Sequence, residues 1–443
     1  MQALPRYLVL DPKIDRLPRA ALAALQSERL RAMARYCYAQ TPFWRSKFDQ
    51  AGLKPEDIGS IDDLPRIPFC TKAELQEDQR AHPPFGSYVG IPRSHWARFA
   101  ATSGTTGQPL RRVLSERDWG MMVDRFRRNP TVGPGDIVVV LGPSDGLIGP
   151  SVSSASAQAQ GAMVVHAGLY DTRTKIRMIH DLKPAVVSGT TSYLLHVLEV
   201  AAEMGIDLAS LGIRTVAAMG EPGGALERTR ERLRAGWGAR VADGYGMTEI
   251  FPLGGNCPHS PDLHIASDIA AVQIVDLESG EPLPPGETGE VVITNLVGDS
   301  QPLLRYRSRD ISRLATNEAC ACGFTGARLA GSIQARVDDM IWFRGVNIYP
   351  SAVEAAVCSI DGLATEYQIE ISGETALPAM KIRAEARRVG LAEAELAGLS
   401  ERLGLALKQT IRVSAGVEIL PPGALPRPDG QRKMRRVVDL RRG

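Results

Sequence analysis

The chain has 443 residues, is 44% hydrophobic and carries a formal net charge of +2 at pH 7. That apolar content suffices for one large core and a smaller one, while so small a charge gives no global field to recruit nucleic acid. No apolar run is long enough to span a membrane, and the start, with Asp11, Lys13, Asp15 and Arg16 close behind it, lacks a signal-peptide core. The expected location is the cytoplasm.

In chain order, Leu22, Leu25, Leu30, Met33 and Tyr36 recur at helical spacing and predict a helix over 18–38, with Pro18 in its first turn. Thr71 with Glu74 three residues on is a capping-box signature for a second helix. Residues 96–114 read as strand, tight loop, strand. Short apolar runs at 137–141, 163–165, 185–187 and 215–219 alternate with helical stretches at 174–182 and 192–204, the pattern of a parallel sheet with helical crossovers. From 270 to 311 the period changes to two, broken by Pro282, Pro284, Pro285 and Gly286, which predicts a small antiparallel, barrel-like layer. A boundary falls near 336–339. The remainder, about a hundred residues with helices at 351–359 and 391–411, suits a separate α+β domain. The expected fold is α/β: a large domain over 1–337 with parallel sheets and a barrel-like β layer, and a small α+β domain over 338–443.

The loop inside 96–114 carries the clearest chemistry. Thr102, Ser103, Gly104, Thr105, Thr106 and Gly107 are an unbroken row of hydroxylic side chains and glycine. Glycine lets backbone N–H groups approach an anion, and hydroxyls add donors, so the row suits phosphate. It is not a Gly-x-x-x-x-Gly-Lys-Ser/Thr loop, since the lysine and the following helix start are missing.

This loop resembles the signature of adenylate-forming enzymes, the superfamily of acyl-CoA synthetases, adenylation domains and luciferases. Four further segments follow in that superfamily's order: Gly220-Glu221-Pro222, Tyr245-Gly246-Met247-Thr248-Glu249, Arg305-Tyr306-Arg307-Ser308-Arg309-Asp310 and Arg344-Gly345-Val346-Asn347-Ile348-Tyr349-Pro350. The last of these, with the modest length, is most similar to the phenylacetate–CoA ligase branch. The resemblance runs from about residue 30 to the end.

The resemblance implies an enzyme that joins a carboxylate to the α-phosphate of ATP, expels pyrophosphate, and passes the acyl group to a thiol. It implies that residues 102–107 cradle the β- and γ-phosphates, and that Gly220, Glu221 and Pro222 line the adenine. Gln108 stands where the family often has lysine. Thr248 would contact the α-phosphate, Glu249 would ligate magnesium, and Tyr245, with Gly246 and Met247, would lie near the adenine. Asp243 resembles an acidic residue beside the nucleotide, Asp310 the ribose acceptor and Arg336 a second ribose contact. Asp338 resembles the hinge about which the small domain moves as a lid. Lys433 fits the mobile lysine that meets the α-phosphate and acyl carboxylate, with Arg432 as the alternative cation. From the residues alone, Thr248 and Glu249 also suit a helix N-cap and first turn, Asp310 a surface pair with Arg307 or Arg309, and 426–438 a solvated basic tail.

Cys320-Ala321-Cys322-Gly323 is a tight thiol pair, with Cys257, His259 and His264 upstream. Three cysteines and a histidine match a closed tetrahedral zinc site, structural because no position stays open. Members of the branch with such a site have Leu-His before Cys-x-Cys, which favours His264 over His259. Cys37, Cys70 and Cys358 read as structural, and His82, His95, His166, His180 and His196 as packing or surface residues. For the acid, the resemblance points to a pocket at Gly142–Asp145, Tyr170 and 219–224, and to an aromatic carboxylic acid. The acceptor is coenzyme A, a carrier-protein thiol or an amine. A homodimer is compatible with the sequence. A zinc-dependent nucleic-acid-binding protein, from another class, is disfavoured by near-neutral charge and 5% aromatic content.

Overall fold

The computed structural model describes residues 11–102, 109–128, 131–144, 146–221, 226–316, 319–337, 339–343, 346–373, 379–426 and 436–440. Helix α1 (Arg19–Gln40) buries Leu22, Leu30, Met33 and Tyr36 and has Pro18 at its N-cap. It is followed by α2 (Pro42–Gln50) and α3 (Lys72–Ala81). The capping box at α3 is complete: Thr71 Oγ1 accepts from the Glu74 amide at 3.3 Å, and Glu74 Oε2 accepts from the Thr71 amide at 2.7 Å. Strands β1 (Arg98–Ala101) and β2 (Arg111–Leu114) pair antiparallel, Ala101 opposite Arg111, so the hydroxyl-rich row joins a hairpin. Helix α4 (Glu116–Arg127) follows, with Ser115 as its cap.

Next comes the expected alternation: β3 (Ile137–Val140), α5 (Ile148–Ala159), β4 (Met163–His166), α6 (Thr172–Leu182), β5 (Val186–Gly189), α7 (Thr191–Glu203), β6 (Thr215–Met219), α8 (Glu227–Trp237) and β7 (Arg240–Met247). The order β7-β6-β5-β3-β4 is parallel throughout. The inner strands β3, β5 and β6 are largely covered, which explains their continuous apolar runs, whereas β4 at the sheet edge is partly exposed. β8 (Phe251–Cys257) and β9 (Ser260–Ile265) extend this sheet antiparallel.

The period-two region is an antiparallel sheet of β10 (Ala270–Val275), β11 (Gly289–Asn295) and β12 (Tyr306–Ser312), where β11 is buried along its whole length. Short β13 (Arg328–Leu329) returns to the edge of β9, and β14 (Ala335–Arg336) pairs with β12. Beyond it, β15 (Ile341–Phe343), β16 (Val346–Ile348), α9 (Pro350–Cys358), β17 (Leu363–Ser372), β18 (Ala379–Ala386), α10 (Glu393–Ile411), β19 (Gly416–Leu420) and β20 (Val437–Asp439) form a separate C-terminal domain. Its core, built on Phe343, Val353, Tyr367, Ile369, Ile382 and Leu403, draws only on residues from 341 onward. Among the described residues, no helix is long and apolar enough to cross a membrane.

Candidate functional site

The ends of β1, β2, β7 and β12 converge. Thr102 closes the neck of the hydroxyl-rich row: its amide donates to Leu110 O at 3.0 Å and its Oγ1 accepts from the Leu110 amide at 2.9 Å. Ser103, Gly104, Thr105, Thr106, Gly107 and Gln108 lie outside the described residues, as do Pro222, Asp338, Arg432 and Lys433.

The Tyr245-to-Glu249 segment is the end of β7 and the turn into β8, not a helix start, so Thr248 caps no helix. Parallel strands end here at their C-terminal side, where open α/β sheets bind ligands. A Cβ on Gly246 would lie 2.5 Å from Pro252 Cα, which requires glycine at that step. Met247 packs against the core and Thr248 is half-buried. Two residues past Glu249, Phe251 has φ 124°, a conformation side-chain-bearing residues avoid, while its ring is buried in the core. Such strain costs about 1–3 kcal/mol and is held by surrounding packing.

Glu249 is buried and faces Lys72 Nζ at 3.2 Å. Its backbone carbonyl accepts from the buried guanidinium of Arg112. Arg112 lies on β2, just after the hydroxyl-rich row, so this bond ties that hairpin to the Thr248-Glu249 turn. Asp243, on β7, is buried, accepts from the Ser332 hydroxyl, and has its amide held by Asn256 Oδ1 at 3.0 Å. Burial pushes its carboxyl up from 3.8 to about 6.

Asp310 on β12 is buried and accepts from the Tyr245 hydroxyl at 2.9 Å. Arg336, its register partner on β14, brings Nε to 3.4 Å. The sequence-based partner Arg307 pairs instead with Glu290, Nε to Oε2 at 2.9 Å. Gly220 has φ +84°, which suits glycine, and lets the chain turn after β6. Glu221 then accepts from the Ser192 amide at 3.1 Å and hydroxyl at 2.8 Å, fixing that turn to the start of α7.

Cys257 at the end of β8, His264 on β9, and Cys320 and Cys322 before β13 bring their donor atoms within 4.8 Å of one another. The Cys257 and Cys320 sulfurs are 3.6 Å apart, and Cys322 Sγ is 4.0 Å from His264 Nδ1. A tetrahedron with Zn–S bonds of about 2.3 Å has edges of about 3.8 Å, whereas a disulfide would need about 2 Å. The His264 ring stacks on Phe324 at 4.4 Å, and its Nε2 is buried without a hydrogen-bond partner among the described residues. Burial, with Arg328 nearby, pushes its pKa down to about 4, so the ring is neutral, as a ligand must be. The donor set therefore fits zinc. His259 is outside this cluster; its amide donates to Cys257 Sγ at 3.3 Å. Three of the remaining histidines have polar partners: His82 with Asp78, His166 with Ser144 and His180 with Asp181.

Lys72, Arg112, Ser192, Asn256 and Ser332 hold the site's carboxylates and turns, yet sequence reasoning did not single them out. Lys72 opens a helix recognised by its cap, and Arg112 was legible only as part of a basic strand.

Residues 20–296 match the AMP-binding enzyme family, and residues 345–441 match the AMP-binding enzyme C-terminal domain. The phenylacetate-coenzyme A ligase of Thermus thermophilus is 34% identical over 455 residues, covering 98% of this chain and 100% of that protein. The Escherichia coli protein of the same name is 29% identical, covering 98% and 99%. A solved 2-hydroxyisobutyryl-CoA ligase in the postadenylation state, in complex with 2-HIB-AMP, superposes with a TM-score of 0.90 at 29% identity, covering 100% of this chain and 94% of that one. The same ligase in the thioesterification state, with 2-HIB-AMP and CoA, gives 0.72 at 30% identity, covering 99% and 94%. The chain belongs to the AMP-binding enzyme family and is an AMP-forming acid–thiol ligase.

Proposed function

We propose that the chain activates an aromatic carboxylic acid with ATP and passes the acyl group to coenzyme A. The observation that carries this reading is the hydrogen bond from Arg112 to the backbone carbonyl of Glu249, which ties the hairpin bearing the hydroxyl-rich row to the turn after β7 that carries this buried acidic residue. A triphosphate held by residues 102–107 would then lie beside Glu249. The nearly full-length likeness to phenylacetate-coenzyme A ligases supports an aryl acid. The likeness to 2-hydroxyisobutyryl-CoA ligase supports a second reading, a small hydroxy acid.

In the first half-reaction a carboxylate oxygen attacks the α-phosphorus, forming the acyl–phosphate bond and releasing pyrophosphate. No general base is needed, because the nucleophile is already ionised. Thr248 contacts the α-phosphate, and Lys433 meets the charge that develops there. Glu249 would hold a magnesium ion, which would neutralise charge on the phosphates. Lys72, already beside Glu249, is a second cation at this place. Asp310 accepts from the ribose hydroxyls with Arg336 beside it, while Tyr245, Gly246, Met247, Asp243 and the Gly220-Glu221-Pro222 turn border the base. In the second half-reaction the coenzyme A sulfur attacks the acyl carbon, AMP leaves and the thiol proton passes to solvent.

We place the domain boundary at 337/338, with Asp338 as the hinge. Cys257, His264, Cys320 and Cys322 hold a structural zinc that fastens the end of β8 to the loop before β13. The test of the function is acid-dependent pyrophosphate release over benzoic, hydroxybenzoic, aminobenzoic and phenylacetic acids and 2-hydroxyisobutyrate, with and without coenzyme A. An aryl acid is expected to give the highest kcat/KM, with thioester formed only when coenzyme A is present. Thioester formation on a carrier protein alone would replace the acceptor.

A further inference from the structure

We infer that Arg228 and Arg232 are positioning residues that hold the small domain in the orientation used for the first half-reaction. The inference rests on the two-step ligase reading above. The two arginines stand one turn apart on α8 and so share a face. That face meets the C-terminal end of α9. Arg228 Nη1 donates to Ser359 O at 3.1 Å, and Arg232 Nη1 lies 4.0 Å from Cys358 Sγ. A helix C-terminus carries carbonyls without intrahelical partners and a partial negative charge. Two guanidiniums there supply both donors and the complementary charge. Alongside, Thr365 Oγ1 on β17 donates to Glu199 Oε1 on α7 at 3.4 Å.

These contacts join two helices of the large domain to one helix end and one strand of the small domain. Arg228 is exposed and Arg232 half-buried, so each contact is weak enough to break and re-form in every turnover. The arrangement that contains them superposes on the postadenylation ligase at 0.90 and on the thioesterification ligase at 0.72. The clamp therefore belongs to the arrangement resembling the former, and loosening it biases the chain away from adenylation. Neither arginine has a place among the proposed substrate contacts.

The test uses the full chain with both substitutions, Arg228→Ala and Arg232→Ala. Acid-dependent pyrophosphate release should fall about tenfold, the scale of losing two such contacts from a two-state equilibrium. Thioester formation from preformed acyl-AMP and coenzyme A should be unchanged or faster. Arg228→Lys with Arg232→Lys keeps both cations at the helix end and should restore most of the lost rate. Equal loss in both half-reactions, or no loss in either, overturns the clamp. If the unsubstituted protein releases no pyrophosphate with any acid, the ligase reading itself fails. Small-angle scattering then decides the clamp alone: a broader distribution of dimensions in the double alanine variant supports it, and an identical profile overturns it.

Discussion

The Tyr245 hydroxyl donates to Asp310 Oδ2 at 2.9 Å, joining the last strand of the parallel sheet to the antiparallel layer. Both side chains are buried, so the phenol orients a carboxylate that would otherwise have more freedom to turn. If Asp310 receives the ribose hydroxyls, this bond fixes the acceptor that ATP must meet. Tyr245→Phe should raise the KM for ATP about five- to tenfold, the effect of one buried hydrogen bond of about 1–1.5 kcal/mol, with little change in the KM for the acid. Equal changes in both would mean that the tyrosine acts through general packing. Asp310→Ala should lose ATP recognition more severely.

Asp243 gives a pH signature. Its carboxyl titrates at about 6 in the folded chain against an ordinary 3.8, raised first by burial, although the Ser332 hydroxyl and Arg230 act to lower it. The folded state therefore holds the proton more tightly than the unfolded chain. This contribution to stability is full below pH 3.8 and is lost as pH rises through about 6, a change on the order of 3 kcal/mol. Asp243→Asn keeps an acceptor for Ser332 but removes the titration. In denaturant unfolding, the stability difference should shift in favour of the variant through that window and level off above it. A difference independent of pH contradicts the assignment.

Metal content separates the two histidine candidates. Purified protein should hold about one zinc per chain, following the four-ligand rule. Cys320→Ser and His264→Ala should lose the metal and lower the melting temperature, while His259→Ala should keep it. Protein made with ample zinc that contains none would remove the site from the account.

Much of this was legible in the sequence, for physical reasons that differ by element. The alternation of valine runs and helices carried the parallel sheet, because strands buried on both faces cannot hide their composition. The Thr71–Glu74 box fixed the start of α3, since capping is local. Long-range pairs were not legible. Nothing local marks Lys72 as the neighbour of Glu249, because the packing of α3 against the turn after β7 decides it, or Arg336 rather than Arg307 as the partner of Asp310, because sheet register decides that. Thr248 suited a helix cap equally well until β8 was seen to follow it. His264 is favoured over His259 only by its Leu-His setting, and it is the position of His264 on β9 that brings it to the cysteines.

Phosphate binding by the hydroxyl-rich row is tested at Thr105 and Gly107. Replacing Thr105 or Gly107 with a bulky side chain should raise the ATP requirement and slow adenylation while the melting temperature stays close to that of the unsubstituted protein. Near-normal turnover in both variants would take the phosphates elsewhere.

Lys433 and Asp338 should divide the two half-reactions. Lys433→Ala should slow adenylation by roughly 2–4 kcal/mol of barrier, the scale of one preorganised donor, yet largely spare thioester formation from preformed acyl-AMP. Asp338→Pro should spare adenylation and block thioester formation. Equal damage to both steps by Lys433→Ala would assign the lysine a structural role and direct attention to Arg432.

Adenylation requires that an acid's own carboxylate oxygen attack the α-phosphorus of ATP. Heavy-oxygen-labelled acid, turned over with ATP and coenzyme A, tests it directly by mass spectrometry of the nucleotide product. AMP should carry one labelled oxygen from the acid, and pyrophosphate should be unlabelled. Label in inorganic phosphate alongside ADP, or AMP with no label, would contradict it.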